Sequence, residues 1–176
     1  MKTAGKKRMR TAPLLAAGGI VLRGRKRPLV AVVQLRQQKT WVLPKGKLNR
    51  KETPLAAAKR EAKEETGRDV FAYEYLGQIA YESRGAPKVV KFWRMEAHGK
   101  PGKLMHDVQR VQWLPLNKAI EKLSRPRERK FLQRVGPRAL AAASRGLKRR
   151  SRFARLLGWI GPSVRGLRFW RYLLFA

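Results

Sequence analysis

One run, Gly46 to Arg68, constrains this chain more than any other part of it. It reads GKLNRKETPLAAAKREAKEETGR. Gly46, Glu52, Arg60, Glu61, Glu64, Glu65 and Gly67 therefore stand at the spacing G-x5-E-x7-R-E-x-x-E-E-x-G. The run predicts a helix over 54–66. Thr53 is a good N-cap, and Pro54 sits at the first helical position, where its missing N–H costs little. Leu55-Ala56-Ala57-Ala58 are strong helix formers small enough for close packing, and Gly67 suits a left-handed C-terminal cap. Glu61, Glu64 and Glu65 are related by i,i+3 and i,i+4, so they share one helix face. Such a face is destabilised by like-charge repulsion unless a cation neutralises it. Hard divalent ions, Mg²⁺ first and Mn²⁺ second, prefer carboxylate oxygens completed by water and phosphate.

Composition sharpens this reading. Four of the eleven Asp and Glu fall in that run, while forty-three Lys and Arg leave a formal charge of +32. A field of this size attracts polyanions: nucleic acid, anionic lipid, polyphosphate or nucleotides. With no cysteine, disulfides and thiolate metal sites are excluded. The opening imitates a signal peptide, but its apolar stretch Leu14–Leu22 runs into Arg23, Arg25, Lys26 and Arg27. A first β-strand is expected there, and a cytoplasmic protein by default.

Charge divides the chain into three parts. Residues 1–13 carry five Lys/Arg and no acid, and read as a flexible basic arm. Residues 14–136 hold every acid. Residues 137–176 carry ten Lys/Arg and none. The middle part predicts strands over Leu14–Arg23, Pro28–Arg36, Trp41–Leu43, Val70–Glu82, Lys88–Ala97 and Val108–Leu114. Helices are expected at 54–66, from Pro115 to about Leu123, and over Arg127–Val135. This order gives an α/β domain with a mixed sheet and helices on its faces.

The spaced pattern closely resembles the signature of the Nudix (MutT-like) pyrophosphohydrolases, and the resemblance covers roughly residues 14–135. It implies an α/β/α sandwich with a catalytic loop-helix motif. It also implies metal-binding carboxylates at Glu61, Glu64 and Glu65, with the Gly46 carbonyl as a backbone ligand. Glu64 or a neighbour would help activate the attacking water. Glu52 and Arg60 match a pair that braces the loop against the helix. Ala62 and Arg68 depart mildly from the pattern without removing a ligand.

The implied chemistry is Mg²⁺-assisted in-line attack of water on a phosphoanhydride. The substrate is expected to be nucleoside-diphosphate-linked, either a (di)nucleoside polyphosphate or an oxidised nucleoside triphosphate, with diphosphoinositol polyphosphates as an alternative. Lys45 and Lys47, flanking Gly46, and Arg36 are candidates to hold phosphates as point charges. Asp107, six residues before Trp113, is a candidate further ligand or base. His98 and His106 read as exposed loop residues. Trp41, Phe92, Trp93 and Trp113 read mostly as core.

The tail lies beyond the resemblance. Phe153, Leu156, Leu157 and Ile160 form one apolar stripe, and Leu167, Trp170 and Leu174 form a second after Gly161-Pro162. Arginines occupy the other faces, so 137–176 reads as a basic amphipathic helical extension. It admits three roles: packing on the domain or on a homodimer partner, lying on an anionic membrane, or gripping nucleic acid. A polyanion-binding protein on the same scaffold is the competing function.

Overall fold

The computed structural model describes residues 12–158 except 25, 84, 105 and 106, with side chains as far as 145. The elements are β1 (Leu14–Arg23), β2 (Leu29–Leu35), β3 (Trp41–Val42), β4 (Lys45–Lys47), α1 (Pro54–Thr66), β5 (Asp69–Ser83), β6 (Ala86–His98), β7 (Val108–Leu114), α2 (Leu116–Lys122) and α3 (Pro126–Gly158). The expected apolar strands all form. No helix among the described residues is long and apolar enough to cross a membrane. The stripes expected at 153–160 and 167–174, most of the basic arm and His106 lie outside the described residues or side chains.

The chain divides into two compact units, Met1–Ser144 and Arg145–Ala176. In the first, the sheet runs β3-β2-β1-β6-β5, with β4 paired to β1 and β7 to β2. β1 and β6 are parallel, and the other pairs are antiparallel. The sheet is therefore mixed. β1 and β2 are buried on both faces from Ala16 to Leu22 and from Val30 to Gln34, which explains why neither alternates apolar with polar residues. Of the second unit, only the helical residues 145–158 are described.

The two faces of the sheet carry separate cores. On one, Ala17, Val21, Ala31 and Met95 pack against Ala57, Ala58 and Ala62 of α1. On the other, Ile20, Leu22, Val32, Leu43 and Phe92 pack against Ala119 and Leu123 of α2 and the α2–α3 junction, and against Phe131, Leu132 and Val135 of α3. Each large side chain buried there contributes about 1.5–3 kcal/mol. The result is the α/β/α sandwich that the resemblance implied.

Two features differ from the sequence reading. The helix expected over 127–135 continues through Gly136 and Pro137 to Gly158, and Ala139 is fully buried in the core. Gly136 lies inside this helix and against α2. A Cβ there would stand 2.5 Å from Leu116 Cδ1, so its absence seats α2 against α3. The second difference is β4, a three-residue strand with no apolar residue of its own. It forms because β1 departs from β2 after only the pairs Leu22–Val30 and Arg23–Leu29. The open edge of β1 then takes Lys45 opposite Gly18, Gly46 opposite Ala17 and Lys47 opposite Ala16. A Cβ on Gly18 would lie 2.1 Å from the Pro44 carbonyl oxygen, so glycine is required for this approach. β4 brings Gly46 beside α1.

Candidate active site

α1 starts and stops where its sequence says. Thr53 has extended backbone, and its hydroxyl accepts from the Ala56 N–H at 3.3 Å. Gly67 closes the helix at φ 66°, its N–H donating to the Lys63 carbonyl at 2.8 Å. Between these caps, Ala57, Ala58 and Ala62 face the sheet, Glu61 and Glu65 meet Gly46 and Lys45 of the β4 loop, and Glu64 is bonded to Arg60.

Arg60 ties the loop to the helix. Its guanidinium grips Glu52 twice, Nε to Oε1 and Nη2 to Oε2, both at 2.9 Å. Nη2 also donates to the Lys47 carbonyl at 3.0 Å, and the Asn49 N–H donates to Glu52 at 2.8 Å. Nη1 is shared between Glu61 at 2.8 Å and Glu64 at 3.0 Å. The hydrogen bonds to Arg60 hold the Glu52 carboxyl below its ordinary range, and the same bonds raise the Arg60 guanidinium above its own. One arginine thus orients two of the three helix carboxylates.

Gly46 meets the third side of this arrangement. A Cβ on it would lie 2.1 Å from the Glu61 carboxylate, so that carboxylate rests directly on the glycine backbone. Glu65 is buried behind it and accepts the Lys45 N–H at 3.0 Å. Burial pushes the Glu65 carboxyl up to about 8; the nearby Glu61 and Glu128 add to the shift while Lys45 opposes it. A neighbouring cation would relieve that penalty.

The predicted phosphate-binding residues do not share one environment. Lys47 is exposed. Lys45 is not: its side chain is 9% exposed, and its ammonium lies 3.1 Å from Glu128 Oε1 and 3.1 Å from the Leu43 carbonyl. Arg36 is exposed at the end of β2, where its N–H donates to the Asp107 carbonyl and its guanidinium to the Val108 carbonyl. Asp107, also exposed, therefore sits beside Arg36 at the junction of β2 and β7.

Three residues the sequence reading passed over belong to this region or its surroundings. Glu128, in the first turn of α3, is 2% exposed and reaches Leu43 and Lys45. Lys88, on β6, has its ammonium pushed down by burial and then by the positive fields of Lys45, Arg125 and Lys47. Arg94 is buried on β6, bonding Glu74 at 2.9 Å and stacking over Tyr73. The scarcity of acids was the one available signal for Glu128. His98 is corrected as well: it ends β6, paired with Asp69 and stacked on Phe71 at 4.1 Å, rather than lying in a loop. Trp41 and Phe92 are core, whereas Trp93 and Trp113 are only partly buried.

Among the described residues, no three acids or histidines stand together as a ready-made cation cluster. The donor set nonetheless fits a hard divalent ion. It offers only oxygens, from Glu61, Glu64, Glu65 and the Gly46 carbonyl, and the missing Cβ of Gly46 leaves the room that the Glu61 carboxylate uses.

This fold and this loop-helix pairing define a Nudix domain. The model of the NUDIX domain matches residues 12–135, and the chain belongs to the Nudix family. It is 36% identical over 105 residues to the 8-oxo-(d)GTP phosphatase of Mycolicibacterium smegmatis, covering 60% of this chain and 33% of that protein. It is 32% identical over 160 residues to the putative mutator protein MutT4 of Mycobacterium tuberculosis, covering 77% of this chain and 64% of the relative. A third relative, the asymmetrical bis(5'-nucleosyl)-tetraphosphatase of Caenorhabditis elegans, is 34% identical over 86 residues, covering 46% of this chain and 62% of the relative. The chain thus spans from a third to under two thirds of the length of these relatives. Among solved structures, a C. elegans Ap4A hydrolase binary complex superposes with a TM-score of 0.63 at 26% identity, over 76% of this chain and 98% of that one. A MutT protein from Methanosarcina mazei Go1 shares the fold, with a TM-score of 0.61 at 20% identity over 73% and 96% of the two chains.

Proposed function

We propose that this protein is a Mg²⁺-dependent hydrolase that cleaves a phosphoanhydride bond in a nucleoside polyphosphate, either a dinucleoside polyphosphate or an oxidised nucleoside triphosphate. The observation that carries this reading is the seating of the Glu61 carboxylate on Gly46, with Arg60 spanning Glu52, Glu61 and Glu64. Relatives named for 8-oxo-(d)GTP and for a nucleosyl tetraphosphate support the substrate class.

Glu61, Glu64, Glu65 and the Gly46 carbonyl would hold the cation. Mg²⁺ supplies charge neutralisation to phosphate oxygens that otherwise repel a nucleophile. The remaining work falls to the chain's own groups. Arg60 keeps Glu61 and Glu64 oriented, and its anchorage on Glu52 prevents the helix from drifting away from the loop. Glu64 is the carboxylate we assign to polarise the attacking water, accepting its proton as the P–O bond forms and the bridging oxygen leaves with the other phosphate.

Positive charge beside the loop suits a phosphate chain. Lys47 is exposed to solvent, and Lys88 lies in the field of Lys45, Lys47 and Arg125. Several closely spaced cations are disfavoured alone and favoured once an anion bridges them. The same feature suits a diphosphoinositol polyphosphate, which is the second reading.

A panel comprising an oxidised nucleoside triphosphate, a dinucleoside tetraphosphate and a diphosphoinositol polyphosphate, each with Mg²⁺ and with chelator, tests the assignment. Metal-dependent release of phosphate or a nucleotide from one of the first two is expected. Turnover of the inositol compound alone would replace the substrate class, and no turnover of any would remove the activity.

A further inference from the structure

The loop that carries Gly46 is gripped from two sides, and the second grip lies outside the spaced motif. On the α1 side, the Glu65 carboxylate accepts the Lys45 N–H. On the opposite side of the sheet, Glu128 reaches over from the first turn of α3. Its Oε2 accepts the Leu43 N–H at 2.7 Å, and its Oε1 lies 3.1 Å from the Lys45 ammonium. That ammonium in turn donates to the Leu43 carbonyl at 3.1 Å. Both backbone polar groups of Leu43 are therefore satisfied by one buried ion pair. The neighbouring turn continues the pattern: the Trp41 N–H donates to the Ser124 hydroxyl and the Ser124 N–H to the Trp41 carbonyl, both at 2.9 Å. From below, the Gly19 N–H donates to the Pro44 carbonyl at 3.1 Å.

A carboxylate 2% exposed is costly to bury unless its partners are fixed, and here they are. Arg125 adds a second cation 3.7 Å from Oε1. Removing the charge of Glu128 would take from the nearly buried Lys45 ammonium its direct ion-pair contact, leaving only the field of Glu65, and would free that ammonium to leave the Leu43 carbonyl. Residues 43–46 are contiguous, so loosening Leu43 and Lys45 displaces Gly46 relative to Glu61.

We propose that Glu128 is a positioning residue of the active site, fixing the Leu43–Gly46 loop through the Leu43 N–H and the Lys45 ammonium and so setting Gly46 against Glu61. It touches neither substrate nor reacting atoms. This inference rests on the phosphoanhydride-hydrolase reading above. α3 thereby acts on chemistry organised by α1, although the two helices lie on opposite faces of the sheet.

Glu128→Gln keeps the shape and an acceptor for the Leu43 N–H but removes the charge that holds Lys45. With Mg²⁺ and the best substrate of the panel, kcat is expected to fall roughly ten- to hundredfold, the usual range for a group supporting direct ligands, with KM little changed. Glu128→Asp restores the charge and is expected to recover part of the loss. Amide hydrogen exchange should accelerate at Leu43 and Lys45 while Val32 and Phe92 stay protected. Parental kcat in a folded Glu128→Gln variant overturns the proposal, as does exchange that accelerates evenly across the sheet, since Glu128 would then be a general stabiliser. If the Gln variant does not fold, Glu128→Asp carries the test: lowered kcat with selective exchange sustains the role, and parental kcat overturns it. A parent protein that hydrolyses nothing in the panel refutes the proposed function instead, and the exchange pattern then still decides whether the clamp exists.

Discussion

The two faces of the sheet organise the same loop by different means. On the α1 face, the groups that matter are neighbours in sequence: Glu52, Arg60, Glu61, Glu64 and Glu65 fall within one short run, and Arg60 bonds four other residues of that run, Lys47 among them. On the α3 face, Glu128 reaches Leu43 and Lys45 across more than eighty residues of chain. Apart from the buried Glu65, the α1 groups are partly exposed, whereas both members of the Glu128–Lys45 pair are nearly buried. On the proposed reading the α1 face does the chemistry, and the α3 face holds the backbone from which the chemistry is hung.

The difference can be broken most directly at Gly46. A Cβ there collides with the Glu61 carboxylate, the far end of a flexible side chain, so Gly46→Ala should fold and fail. Activity is expected to fall about a hundredfold, the order usual for ångström-scale misplacement of a reacting group, with the melting temperature near that of the parent. An active Gly46→Ala protein would show that the close approach of loop and helix is dispensable. The α3 face should give the opposite result. Phe92 is fully buried there against Phe131, with ring centroids 4.9 Å apart, and Phe92→Ala is expected to cost about 3–5 kcal/mol in denaturant unfolding. A loss well below this would mean that the larger core is not the stabilising one.

Much of the first face is legible in the amino-acid sequence. α1 is a local object: Thr53, Pro54 and Gly67 punctuate it, and each cap behaves as its residue type dictates. The carboxylate face follows from helical spacing alone. The parts beyond α1 are not legible in this way, because they are made by tertiary contact. β4 is Lys-Gly-Lys and has no strand signal; it pairs where β1 has left β2 and Gly18 admits the Pro44 carbonyl. α3 runs past its expected end through Gly136 and Pro137, two residues that locally read as a stop, and there Gly136 lies against Leu116, a contact no local pattern encodes. Lys45 reads as a surface cation until Glu128 is brought to it, and His98 reads as a loop residue until β6 pairs with β5.

Two smaller effects sharpen the comparison at the rim of α1. Thr53→Ala removes the N-cap acceptor of the Ala56 N–H and should cost about 1 kcal/mol without touching the carboxylates. If catalysis fell with it, the start of the helix would be part of the site. At the other end, the exposed Asp69 bonds Lys63 at 2.8 Å, and that bond holds its carboxyl below the ordinary 3.8. A lowered folded value means that this stabilisation is present above the unfolded pKa and is lost as pH falls through the folded one. Asp69→Asn should therefore lose a little stability at neutral pH and show a flatter decline on acidification. An unchanged acid transition would mean that the pair contributes nothing.

The central claim is that the carboxylate face of α1 performs the reaction, and Glu64→Gln tests it most directly. The substitution keeps size and shape, so turnover of a phosphoanhydride in saturating Mg²⁺ reads chemistry rather than folding. A folded Glu64→Gln variant should lose roughly a hundred- to ten-thousandfold in kcat, the range for removing a proton-accepting group. Turnover equal to that of the parent would contradict the account.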